Sequence, residues 1–213
     1  MHVNPLIVKT SEPELGSAAA ILGAAMELFA ERGFDSVPLS AIADRAGVSK
    51  GNIFHHYGSK DGLYLAVMKQ ASGNTSRLLA DLTRGAGSFA DRIRHFARAH
   101  LQYLVSHECV ARLILRELAQ GDEERGRKMV EGAFGENFAT LVSIFRSGQQ
   151  EGQVRPELDP AVMALALLSG NVFFFQSQTL LPHLSSVSFA ADPDYYSSMV
   201  VNLFLHGVLT EKT

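Results

Sequence analysis

"LSAIADRAGVSKGNIFHHYGSKD", residues 39–61, decides the fold of this 213-residue chain. Ile42, Ala43 and Ala46 share one face of a short helix, Gly47 stops it, and Val48 and Ile53 supply the apolar positions of the next. Glycine takes the left-handed conformation that ends a helix at no Cβ cost. The hydroxyl of Ser49 can accept from an otherwise unpaired amide, so a further helix starts there and runs to about Tyr57, and Gly58 and Ser59 restart the chain. A helix, a glycine-containing turn and a second short helix make a helix-turn-helix, whose second helix enters the major groove of DNA while the first crosses its backbone.

The polar residues of the stretch suit that use. Lys50 and Lys60 can meet phosphates, Asn52 offers a donor and an acceptor to a base edge, Phe54 can touch a thymine methyl, and Gly51 lets backbone approach closely. Between Leu39 and Lys69, four cations face two carboxylates, a local excess of +2. Adjacent helix positions point about 100° apart, so His55 and His56 cannot both face one groove or chelate one metal. One of them can read the groove while the other lies at its rim.

Working outward, nearly every periodic segment has helical spacing, and no run shows the alternation and hairpin turn of strands. The fold class is all-α. Ile21, Ala25, Leu28 and Phe29 stripe a first helix over 17–32 closed by Gly33, and Pro38 opens the second. A fourth helix from Lys60 carries Leu63, Tyr64, Val67, Met68 and Ala71, with a kink or an end expected at 72–74. Further helices are expected over 88–105, 107–119, 123–151, 160–181 and 193–210. Ser88 with Asp91, Asp159-Pro160 and Asp192-Pro193 mark three of their starts.

The composition, 46% hydrophobic and 19% charged with a formal net charge of -3, suits a folded chain without a basic coat. One cysteine, Cys109, excludes an intramolecular disulfide and a thiolate-rich metal site and suits a reducing compartment. Residues 1–16 lack a signal-peptide core, and the apolar run 161–175 is shorter than the roughly 20 residues of a bilayer span. A soluble cytoplasmic protein is expected, with no membrane partner.

Residues 17–69 resemble the DNA-binding region of the TetR family of bacterial regulators, through "ELFAERGF", "IADRAGVSKG" and the Y-x-S-K pattern ending at Lys60. The resemblance implies an N-terminal three-helix DNA-binding domain over 17–69, preceded by an arm over 1–16. It implies a helical domain over 70–213 that dimerises and binds a small effector. It also implies DNA contacts at Ser40, Ser49, Lys50, Gly51, Asn52, Phe54, His56, Tyr57 and Lys60, with His56 as the groove reader and His55 at the rim. The arm here carries Glu12 and Glu14 where many members are basic, and Phe54 stands where tyrosine is more frequent.

In the larger domain, polar residues within apolar helices are the candidate ligand contacts: His100, Tyr103, Arg112, Arg116, Asn171 and Gln178, with Phe174. A cavity with few polar anchors would suit a largely apolar effector. Two rows on the last helix compete for the core and a partner, Tyr195-Met199-Leu203-Gly207 and Tyr196-Val200-Phe204-Val208. The dimer surface is assigned to Phe173, Tyr196, Val200, Phe204, Gly207 and Val208. His95, His100, His107 and Glu108 lack the H-E-x-x-H spacing of a metallohydrolase, so no enzyme, metal or cofactor is expected. The function expected is a homodimeric repressor that leaves a pseudo-palindromic operator when it binds a small effector. The alternative is a DNA-binding regulator with no such effector, constitutive or controlled by a protein partner.

Overall fold

The computed structural model describes residues 12–120 and 123–210. Among them the chain forms α1 (Glu12–Arg32), α2 (Leu39–Ala46), α3 (Lys50–Tyr57), α4 (Lys60–Arg84), α5 (Phe89–Ser106), α6 (Glu108–Gln120), α7 (Glu123–Val130), α8 (Ala133–Gln150), α9 (Pro160–Ser177) and α10 (Pro193–Val208), with a 3-10 turn at Leu181–His183. No strand occurs among the described residues. Most of the arm lies outside them, and residues 12–16 extend α1 rather than precede it.

The punctuation is where local chemistry puts it. Gly33 and Gly47 adopt φ of 80° and 67°, and the Val48 amide returns 3.0 Å to Ala43 O to close α2. Ser49, Ser59, Ser88, Asp159 and Asp192 accept backbone amides at the starts of α3, α4, α5, α9 and α10. Pro38 is the N-cap of α2 rather than a member of its first turn.

Two segments depart from the sequence expectation. α4 passes straight through Ser72, Gly73 and Asn74. The groups that would disturb the helix are satisfied: Ser72 Oγ donates to Met68 O at 3.0 Å and Asn137 Nδ2 on α8 donates to Ser72 O at 3.1 Å. The expected helix over 123–151 is broken at Glu131 and Gly132 into α7 and α8. A Cβ at Gly135 would fall 1.9 Å from Val130 O, so only glycine lets the first turn of α8 fold back on the end of α7.

Two large apolar clusters result. The first joins Ile21, Leu28 and Phe29 of α1 to Ile42, Ile53, Leu63 and Val67, and it is completed by Leu113 of α6 and Met129 of α7. The first three helices are therefore seated directly on α6 and α7. The second holds Phe89, Ile93, Phe96, Leu141, Phe145, Met163, Leu167, Val201 and Leu205. By length and composition α9 could cross a bilayer, yet here it packs against α5, α8 and α10.

Phe173, Phe174 and Phe175 divide on α9. Phe174 and Phe175 are buried and Phe173 is 65% exposed. On α10 the rows are the reverse of the sequence assignment. Tyr196 packs at a tilt on Phe174 with ring centroids 4.5 Å apart and donates to Gly170 O at 2.8 Å, Phe204 packs on Phe145, and Val208 is buried. Val200 is half-buried against α9, its Cγ1 2.9 Å from where a Cβ on Gly170 would be. Tyr195, Met199 and Leu203 point outward with Gly207, so of the assigned dimer residues only Phe173 and Gly207 are exposed.

Candidate nucleic-acid interface

α3 is fixed from three sides. Ile53 is fully buried among α1, α2 and α4 residues. Ser49 Oγ accepts the Asn52 amide at 3.3 Å at one end. At the other, Tyr57 donates its hydroxyl to Ala18 O of α1 at 2.8 Å, and burial raises its pKa above the usual phenol value.

The helix then presents Lys50, Gly51, Asn52, Phe54 and His55 to solvent, with Phe54 52% exposed although apolar. Ser40 is half-buried in the first turn of α2. The exposure of the two histidines is the reverse of what the groove-and-rim expectation implies. His56 is half-buried with Nε2 3.0 Å from Ser17 Oγ of α1, whereas His55 is exposed. The cause is angular: Ile53 and Tyr57 fix the buried side of α3, and His55 projects nearly opposite to both at 100° per residue.

The cations are not equally available. Lys50 is exposed. Arg45 holds Glu27 at 2.8 Å. Lys60 lies 4.4 Å over the Phe34 ring with Nζ 3.5 Å from Asp35 O. Burial lowers the Lys60 pKa, against the opposing charges of Asp35 and Asp61.

The residues expected to share one ligand cavity separate into two groups. His100, Asn171 and Phe174 are buried at the centre of the larger domain. Asn171 Nδ2 donates to Ala97 O at 2.8 Å and lies 3.1 Å from His100 Nδ1, and the His100 ring stacks on Phe96. Burial pushes the His100 pKa down to about 4. Tyr103 donates to Ala71 O at 3.4 Å. Arg112, Arg116 and Gln178 instead line an open cleft of about 770 Å³ between α1, α6 and the end of α9. Arg112 pairs with Glu108, and Arg116 donates to Glu31 O at 3.3 Å.

A smaller groove of about 290 Å³ lies between α4, α7 and α8, lined by Leu65, Met68, Met129 and Phe134 together with Lys69, Lys128 and Glu131, and Lys128 holds Glu124 at 2.7 Å. None of these was singled out from the sequence as a ligand contact. Leu65 and Lys69 do stand one helical turn apart on a face of α4 that the core does not use, and that spacing was the available signal.

Residues 21–67 match the family model described as bacterial regulatory proteins, tetR family, and residues 86–173 match the tetracyclin repressor-like C-terminal domain. The HTH-type transcriptional regulator RutR of Escherichia coli strain K12 is 33% identical over 148 residues, 66% of this chain and 68% of that protein. UidR of the same organism, also an HTH-type transcriptional regulator, is 29% identical over 159 residues, 70% of this chain and 74% of that protein. Among solved structures, FadR of Bacillus subtilis in complex with stearoyl-CoA superimposes with a TM-score of 0.74 at 22% identity, covering 89% of this chain and 98% of that one.

Proposed function

From the premise that this chain belongs to the TetR family of bacterial helix-turn-helix transcriptional regulators, we propose that it acts in the cytoplasm as a homodimeric repressor released from a pseudo-palindromic operator by a small effector. As a DNA-binding regulator it is not an enzyme. The observation that carries the dimer is the apolar face left uncovered on the last two helices. Val162, Leu165 and Phe173 of α9 and Tyr195, Met199 and Leu203 of α10 are all exposed. Large apolar side chains at successive turns of two adjoining helices mark an interaction surface. A two-fold pairing there carries two copies of α3, which supports a site of two half-sites about one DNA turn apart.

For DNA reading we assign Lys50 and Lys60 to phosphates and Asn52, Phe54 and His55 to base edges, with Gly51 allowing close approach. Ser40 and Ser49 flank these groups. His56 and Tyr57 hold the helix rather than read with it. DNA from the protein's own genomic neighbourhood, scanned for binding by the purified chain over a salt series, tests this. Lys50→Ala should weaken binding to all sequences and flatten the salt dependence, whereas Asn52→Ala should mainly erode sequence preference.

For the effector, the groove between α4, α7 and α8 supports an amphiphile whose chain meets Leu65, Met68, Met129 and Phe134 and whose anionic head meets Lys69. Stearoyl-CoA, which the similar FadR structure holds, is the first probe. Added to the protein–DNA complex it should lower DNA affinity, and an unchanged affinity at saturation would remove this effector class. The second reading, a regulator with no small effector, is favoured by one observation: His100 and Asn171 lie 3.1 Å apart and, like Phe174, are buried in the larger domain.

A further inference from the structure

A set of charged and aromatic side chains joins the DNA-binding trio to α6 and α7, and the DNA contacts do not account for it. Glu117 of α6 has a side chain only 5% exposed, yet it is a carboxylate. It accepts the Tyr64 hydroxyl of α4 at 2.6 Å and Arg125 Nε of α7 at 3.3 Å. The other guanidinium nitrogens of Arg125 each approach a carboxylate oxygen of Asp35, in the α1–α2 turn, at 3.4 Å. The same guanidinium lies 4.8 Å from the centroid of the Phe34 ring, which also carries Lys60 Nζ at 4.4 Å. The edge of Tyr64 meets that ring as well, with centroids 4.9 Å apart.

A charge this deep is costly to strand, so Glu117 and Arg125 must move together or part at a large penalty. A planar fork that contacts one carboxylate through Nε and another through its terminal nitrogens fixes direction as well as distance. Lys60 has its long stem against Phe34 and its ammonium near Asp35 O. Its reach toward DNA is therefore set by the turn that Arg125 holds. A cavity of about 170 Å³ bordered by Arg116, Glu117 and Arg125 beside this turn gives the guanidinium room to shift.

We propose that Arg125 is a positioning residue for the phosphate contact at Lys60, acting from the larger domain through Asp35 and Phe34, with Glu117 as its buried anchor. The proposal rests on the reading of the chain as a DNA-binding regulator with Lys60 at the backbone. Any displacement of α6 and α7 is then conveyed to the DNA surface by the breaking or making of one ion pair at the turn.

The test uses the full chain, a DNA fragment that the wild type retains, and binding isotherms over a salt series. Arg125→Gln and Asp35→Asn should each weaken binding about five- to tenfold, within the usual range of coupling between sites. Each should also lower the salt slope toward that of Lys60→Ala, by about 0.9 for each phosphate no longer neutralised. Combined with Lys60→Ala, neither should weaken binding further, because both act through that lysine. Asp35 is 79% exposed, so Asp35→Asn keeps the test available if Arg125→Gln fails to fold. A wild-type salt slope in Asp35→Asn, or a full additional weakening on top of Lys60→Ala, would overturn the proposal. A wild-type chain that retains no DNA at all would instead overturn the regulator reading beneath it.

Discussion

At the scale of single residues, the paired histidines of α3 differ in environment in a way that their adjacency in sequence conceals. His55 is exposed and His56 is tied to Ser17. His55→Ala should reduce discrimination between the preferred and an unrelated DNA sequence by about 1–3 kcal/mol. His56→Ala should leave that discrimination in place and lower the melting temperature instead, by removing a hydrogen bond worth about 1 kcal/mol. Competition binding and thermal melts on both variants check the pair. His100 makes a different prediction, in pH. Its folded pKa is about 4, below the ordinary 6.5, and its cause is burial. Above pH 6.5 the ring is neutral in both states and stability is full. As the pH falls from 6.5 toward 4, the unfolded chain takes up a proton that the folded chain refuses, so stability drops by about 3 kcal/mol in all. Denaturant unfolding of His100→Gln over that window should show a correspondingly flatter pH dependence.

At the scale of elements, the start of α4 is seated against the end of α3 so closely that a Cβ at Gly62 would lie 2.1 Å from Tyr57 O. Backbone cannot yield as a side-chain tip can. Gly62→Ala should therefore change the angle between α3 and α4, abolish sequence-specific DNA binding and destabilise the N-terminal domain by about 1–3 kcal/mol. Its effect on DNA binding should exceed that of Ser59→Ala, which removes an N-cap worth about 1 kcal/mol one turn earlier. The elements themselves were mostly legible, because glycine stops, serine and aspartate caps and i,i+4 apolar stripes are local signals. One miss was a local signal overruled from a distance, and the other was itself local. Asn137 of α8 steadies α4 at Ser72 across 65 positions of sequence, and the break at Glu131 and Gly132 is made by the return of α8 onto α7.

At the scale of the whole molecule, the two rows of α10 should respond oppositely to substitution. Leu203 is 72% exposed, so Leu203→Glu should leave the protomer folded, shift sedimentation to the monomer and weaken binding to a two-half-site DNA. Phe204 packs in the second core cluster, so Phe204→Ala should cost about 3 kcal/mol of protomer stability, measured at a concentration that keeps the association state fixed. A monomeric, unstable Phe204→Ala beside an unaltered Leu203→Glu would return the inner row to the dimer surface.

The sequence by itself determined the all-α class, the helix-turn-helix, its caps and the outward positions of Lys50, Gly51, Asn52 and Phe54, because each depends on residues within one or two turns of one another. Only the tertiary structure decided which of two equally apolar rows of α10 faces in, which histidine turns toward α1, why the expected ligand set falls into two places, and how Arg125 meets Asp35 and Phe34. Helical periodicity defines faces but not the direction each face takes in the fold. That direction is settled when helices far apart in sequence compete to bury their apolar surface against the same core.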